Sequence, residues 1–215
     1  MPIDGKATNL CFPPMAQATP AADGGAVYPT HPALVRYPHP VLRRRADPVT
    51  VFDQALRDFC ARMFEVMELE RGVGLAAPQV AVSRRIFVTD HARKKGEGPG
   101  EPRVWINPRI ERPEGETVYE EGCLSFPGIY AKVRRHDRFD IVWQDEFGQE
   151  RRQSLDVGAG DFLGIVVQHE LDHLDGVVFV DHLTPLQLGL CRRRLKDLEK
   201  DYKQATGSAG QVLRR

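Results

Sequence analysis

Between Phe162 and Leu174 the chain carries a run whose apolar positions recur at helical spacing and cover most of the helical circumference. That distribution marks a central helix buried on nearly every side, so the rest of the chain has to be built around it. Yet His169, Glu170, Asp172 and His173 place four ionisable groups within five residues of the same run. A buried carboxylate without compensation is costly and has a raised pKa, so a cation or a set of hydrogen-bond partners must stand beside it. His169 and His173 lie one turn apart on one face, with roughly 6 Å between their starting points, and can converge on one divalent ion. Glu170 is rotated about 100° from His169 and is free to reach a water instead. The H-E-x-x-H pattern is that of a metal hydrolase.

Two ligands leave such a site incomplete. His182 follows His173, but it lies beyond Gly176, a terminator, and just before the next helix cap, which makes it a poor third ligand. Upstream, Glu120-Glu121-Gly122-Cys123-Leu124-Ser125 offers a thiol beside a glycine that lets backbone approach closely, so Cys123 is the better candidate by composition.

The remaining pattern is mixed. Thr50, with Asp53 three residues on, reads as the cap of a helix whose stripe is Phe52, Leu56, Phe59, Met63 and Val66, stopping near Gly72. Strands are expected at Arg85 to Thr89 and Arg103 to Ile106, separated by a charged loop from His91 to Glu101 that contains Lys94 and Lys95. Phe139 to Trp143 and Arg151 to Val157 read as a hairpin around Asp145-Glu146-Phe147-Gly148. Thr184-Pro185-Leu186-Gln187 announces a last helix, with Leu188, Cys191, Leu195 and Leu198 as its packing stripe. At 215 residues the chain suits one domain, expected over 31–205, with a loose arm over 1–30 and a frayed tail over 206–215.

Lys plus Arg and Asp plus Glu each number 30, which argues against a partner held through bulk positive charge, such as DNA. No apolar run reaches the roughly 20 residues a membrane span needs, and the first residues lack a secretory or organelle-targeting pattern, so the cytoplasm is the expected location. Cys11, Cys60, Cys123 and Cys191 are scattered without the spacing of a disulfide framework. Arg192-Arg193-Arg194 forms a basic cluster that reads either as the solvated face of the last helix or as a contact for ribosomal RNA. Gly72 and Gly74 either serve a turn or let Val73-Gly74-Leu75 pair with an extended peptide.

Three motifs, in this order, resemble those of the peptide deformylases: Gly72-Val73-Gly74-Leu75-Ala76-Ala77-Pro78-Gln79, Glu121-Gly122-Cys123-Leu124-Ser125 and Gln168-His169-Glu170-Leu171-Asp172-His173. The likeness runs from about Tyr37 to Leu183. It implies an α+β fold with antiparallel strands packed around a central metal-binding helix, and with an N-terminal and a C-terminal helix. It implies Cys123, His169 and His173 as ligands of one divalent metal, with water or hydroxide as the fourth ligand. The metal would be Fe²⁺ natively, with Ni²⁺, Co²⁺ or Zn²⁺ possible in purified protein. Glu170 would be the general base and later the acid, and the Gln79 amide and Leu124 N–H would bind the reacting oxygen. Glu121 paired with Arg135 would hold the Cys123 loop.

The implied substrates are N-formylmethionyl peptides, which would lie against Gly72, Val73, Gly74, Leu75, Phe126 and Tyr130 and lose formate. Members of the family act in protein biosynthesis, processing new N-termini, and a monomer with a transient ribosome contact through the last helix is expected. Ala81, Phe126 and Tyr130 depart from residues common in the family at those positions without removing a catalytic group. A broader metal-dependent amidase or metallopeptidase is the alternative reading.

Overall fold

The computed structural model describes residues 27–91, 100–211 and 213. Most of the expected N-terminal arm, with Cys11, and the body of the charged loop, with Lys94 and Lys95, lie outside the described residues. Helix α1 (Gln54–Leu69) begins later than expected, because Asp53 itself is the cap and accepts from the Leu56 N–H at 2.8 Å. Thr50 cannot start it. The Asn107 side-chain amide binds both the N–H and the C=O of neighbouring Val49, at 2.9 and 2.8 Å, and holds that stretch outside the helix. Leu56, Phe59, Cys60, Met63 and Met67 form the buried stripe of α1, and each large side chain so buried contributes about 1.5–3 kcal/mol.

Strands β1 (Gly74–Ala76), β2 (Ile86–Thr89), β3 (Arg103–Gly122), β4 (Tyr130–Gln144) and β5 (Glu150–Asp156) form one antiparallel sheet in sequence order. The hairpin at Asp145 to Gly148 forms as the turn residues imply, with Asp145 Oδ1 accepting from the Phe147 and Gln149 N–H groups. Strand β3 is far longer than Arg103 to Ile106 and spans 20 residues. Its register shifts twice against β4, next to Asn107 and Arg112, both with positive φ. Beyond the second shift, β3 and β4 continue as a two-stranded ribbon past the edge of the sheet. The sequence conceals this extension because its outer half is polar, with charges on both sides of the pleat.

Helix α2 (Phe162–Leu174) is the buried centre, with Trp105, Phe139, Ile141, Leu155, Leu163, Val167 and Leu174 in one cluster between it and the sheet. Gly176, at φ 72°, ends it where a side chain would collide with the Arg43 carbonyl. Helix α3 (Pro185–Thr206) carries the capping box that the sequence announces, with Thr184 and Gln187 bonding each other's N–H groups. After α3 the chain returns instead of fraying at once: the Gln211 N–H reaches the Pro38 carbonyl and the Leu213 N–H the Tyr37 hydroxyl. Among the described residues, no helix is long and apolar enough to cross a membrane.

Candidate metal centre

The ribbon ends at Gly122, and the next residue is Cys123. Its Sγ lies 3.3 Å from His173 Nε2, and the ligand atoms of Cys123, His169 and His173 all fall within 4.8 Å of one another. His182 is not in this group; its ring bonds Asp172 at 2.8 Å. Two soft-to-borderline donor types, a sulfur and two imidazole nitrogens, turned toward one another in a buried pocket, make a fitting site for a single divalent cation.

Of the two imidazoles, His169 is oriented from behind, whereas His173 Nδ1 is buried without a hydrogen-bond partner. Glu121 Oε2 sits 2.8 Å from His169 Nδ1, which leaves Nε2 to face the sulfur side. Arg135 clamps both Glu121 oxygens at 2.6 and 2.8 Å, and its third bond goes to Asp172 at 2.6 Å. The Glu121–Arg135 pair is nearly sealed, at 3% and 4% side-chain exposure. Burial works against ionised Glu121, but Arg135 and His169 override it and hold its pKa near 2. Burial also opposes charge on His169, yet the Cys123 sulfur and the Glu121 carboxylate hold its pKa well above the usual imidazole value. For His173, burial and the neighbouring His169 charge act together and push it down to about 3. The cluster thus favours positive charge beside the sulfur, where a cation held by Cys123, His169 and His173 would stand.

Glu170 lies on the same helix but points elsewhere. Its Oε1 lies so close to Gly74 that a β-carbon there would approach to 2.5 Å, so only glycine lets β1 rest against α2 at this point. Burial pushes the Glu170 carboxyl up to about 7, and its Oε2 is buried without a hydrogen-bond partner. Such a group is poised to take and return a proton near neutrality.

Gln79, in the 3-10 turn Ala77–Val80 that follows β1, is fixed by the end of that strand: its Oε1 accepts from the Ala76 N–H at 2.8 Å, so its amide hydrogens turn toward Cys123 Sγ, at 3.5 Å, and Ser125 Oγ, at 3.3 Å. Cys123 to Phe126 is a tight turn closed by a 2.9 Å bond from the Phe126 N–H to the Cys123 carbonyl, with Leu124 at its first corner. Segment Val35 to Tyr37 ties these two loops together. The Val35 N–H bonds the Gln79 carbonyl, the Tyr37 N–H bonds the Ser125 carbonyl, and Ser125 Oγ donates to the Val35 carbonyl. Neither Ser125 nor this staple was visible as functional in the sequence, since nothing local marks the contact.

The centre opens into a cleft of about 760 Å³. Gly72, Val73, Gly74, Phe126 and the 70% exposed Tyr130 line it, and Leu75 does not: it is fully buried against α1, so only its backbone can serve a ligand. Ile129, Phe162, Ile165 and Val166 add apolar wall that the sequence reading missed, though Ile165 and Val166 flank the motif one turn before its histidines. Arg36, Glu70, Arg71 and Glu120 add charged groups to its lining. Arg71 has φ 57°, the left-handed position following a helix that glycine normally fills. An arginine there carries about 1 kcal/mol of backbone strain.

The sequence pattern of the family described as polypeptide deformylase matches residues 32–188. A peptide deformylase of Chromobacterium violaceum is 45% identical over 167 residues, 78% of this chain and 95% of the relative. A solved plant peptide deformylase superposes with TM-score 0.79 at 37% identity, covering 86% of this chain and 97% of its own. A solved peptide deformylase from Legionella pneumophila gives TM-score 0.70 at 38% identity, over 81% and 98%.

Proposed function

Because this chain belongs to the peptide deformylase family, metal-dependent hydrolases that remove the formyl group from an N-terminal formyl-methionine, we propose a division of labour among its own residues. Cys123, His169 and His173 hold one divalent metal, which when bound supplies Lewis acidity for the water and the formyl carbonyl. Glu170 takes a proton from the attacking water and returns it to the amide nitrogen as the C–N bond breaks, leaving formate and a free amino terminus. The Gln79 amide and the Leu124 N–H donate to the formyl oxygen as its charge grows; one such donor is worth about 3 kcal/mol. Val73 to Leu75 offer the backbone of β1, which has no strand partner on its outer side in the sheet order, to an extended substrate. Gly72, Phe126 and Tyr130 wall its path, and Arg135 with Glu121 keeps the His169 ring turned toward the metal.

The observation that carries this reading is a sulfur and two imidazoles in reach of one ion, at a cleft also lined by Glu170, whose Oε2 is buried and unpartnered. Fe²⁺ is proposed as the native metal, with Ni²⁺, Co²⁺ or Zn²⁺ able to take the same donors. We place the protein in the cytoplasm as a monomer, with residues 31–205 as its catalytic domain. Arg192 and Arg193, exposed on α3, are proposed for transient ribosome contact; Arg194 already donates to the Pro127 carbonyl at 2.9 Å. Salt-dependent ribosome binding that survives charge reversal of these arginines would remove that role.

Anaerobic purification, elemental analysis and formate release from formyl-methionyl peptides test the whole. Glu170→Gln is expected to keep the metal and lose roughly 10²–10⁴-fold in turnover, whereas His173→Ala loses metal as well. Full metal occupancy in His173→Ala would refute the ligand set. Equal rates on formyl- and acetyl-methionyl peptides would favour the broader amidase.

A further inference from the structure

The rim residue Arg71 is used neither in the metal centre nor in the fold's ion pairs. Its neighbour Glu70 has a partner, Arg36, at 4.0 Å, but among the described residues Arg71 makes no ion pair. Across the cleft, Tyr119 and Glu121 face α2, Tyr119 by stacking on Phe162 and Glu121 through His169. Glu120, opposite Lys132 in the register, also lines the cleft. Of the two arginines in the cleft lining, Arg71 is the one without an ion pair among the described residues. It sits on a left-handed backbone where glycine would be more stable, so the position carries strain that the fold itself does not require.

The geometry points to Arg71 as a specificity-determining residue that draws an acidic side chain at the third position of the substrate. This rests on the deformylase reading above. The reacting carbon must lie beside Glu170, hence beside Gly74, against which Glu170 packs. A peptide added antiparallel along the outer edge of β1 and continued past its first residue, Gly74, runs back along Val73 and Gly72, which line the same cleft. Methionine then falls near Val73, and the residues after it pass Gly72 toward Arg71, whose left-handed turn ends the extended path. Gly72 has no side chain to intervene, and its own crowding by Leu124 and Met67 keeps the path narrow.

The test compares kcat/KM of the metal-loaded enzyme on three C-terminally amidated peptides, formyl-Met-Ala-Asp, formyl-Met-Ala-Asn and formyl-Met-Ala-Lys. At low salt the aspartyl peptide is expected to exceed the lysyl one by about fivefold, the size of an exposed charge contact, and the ratio should fall as salt rises. The difference should lie in KM, as for binding shared by ground and transition states. Arg71→Glu should invert the ratio. Arg71→Gly should bring it to about one while leaving Tm equal or higher, a combination that a merely structural arginine would not give. A ratio of one in the wild type, or one that survives Arg71→Gly, overturns the assignment. Formate released equally from all three peptides sinks the selectivity alone; no formate from any of them brings down the deformylase chemistry and this inference with it.

Discussion

Strands β3 and β4 each have an inner half within the sheet and an outer half in the ribbon, and the two halves are built on opposite principles. The inner half is apolar: Trp105, Ile106, Ile141, Val142 and Trp143 are buried, and the Trp105 ring stacks with Phe87. From Arg112 to Gly122, by contrast, Glu121 is the one buried residue of β3, and Val118 is 59% exposed. An isolated two-stranded ribbon is marginal in water. This one is held by polar anchors on α2: the Gln168 amide bonds both the N–H and the C=O of His136, Asp172 takes Arg135, and the Tyr119 ring meets Phe162. The inner half thus supplies stability, while the outer half spends its few buried groups on bringing Cys123 to the histidines. Fold and metal site are separable to that extent.

The largest effects should expose that separation. Trp105→Ala is expected to cost about 3–5 kcal/mol by denaturant unfolding, with metal affinity of the folded fraction unchanged. Arg135→Leu should cost a similar amount, roughly 3–5 kcal/mol, because it leaves Glu121 buried without its cation and takes one partner from Asp172. Unlike the tryptophan variant, it should also weaken metal binding about 10–100-fold, by freeing the His169 ring. If both variants kept their affinity for metal, the ribbon would not be the positioning device described here. Next in size is removal of the metal, expected to lower stability by about 2.7 kcal/mol relative to metal at a hundredfold excess over Kd. Amide exchange should then rise along Thr117 to Gly122 and Tyr130 to His136 and stay unchanged at Trp105 and Ile141.

Gln168→Leu is a smaller test, expected to cost about 1–3 kcal/mol by leaving the His136 backbone groups without their partner. Acid gives the finest comparison. Glu121 and Asp172 are both held near 2, against ordinary values of 4.5 and 3.8. Depressed carboxyl pKa values add stability above their unfolded values and lose it as pH falls through the folded ones. Ribbon docking, read by exchange at Tyr119 and Val133, is therefore expected to fail between about pH 4.5 and 2 in the metal-free protein, before the inner strands open. Simultaneous loss of both halves would show that they are one cooperative unit.

Helix α2 was legible because burial and helical spacing are both written within thirteen residues, and the caps of α3 because Thr184 and Gln187 are three positions apart. The start of α1 was misplaced because Asn107, far along the chain, claims the Val49 backbone that a helix begun at Thr50 would have needed. The length of β3 was missed because a ribbon docked through side-chain amides and ion pairs has no alternating apolar pattern to betray it.

Local order along the chain was enough to give a buried helix bearing two imidazoles and a carboxylate, since those residues share one set of backbone hydrogen bonds and one period. That a sulfur 50 residues away meets the imidazoles, that Glu121 and Arg135 aim one of them, and that Arg71 lines the cleft without an ion pair among the described residues were decided only by tertiary packing. Contacts between segments depend on register shifts, ribbon docking and which charges find partners. None of these has a local signature, because the free energy that selects them is released only when the distant groups meet.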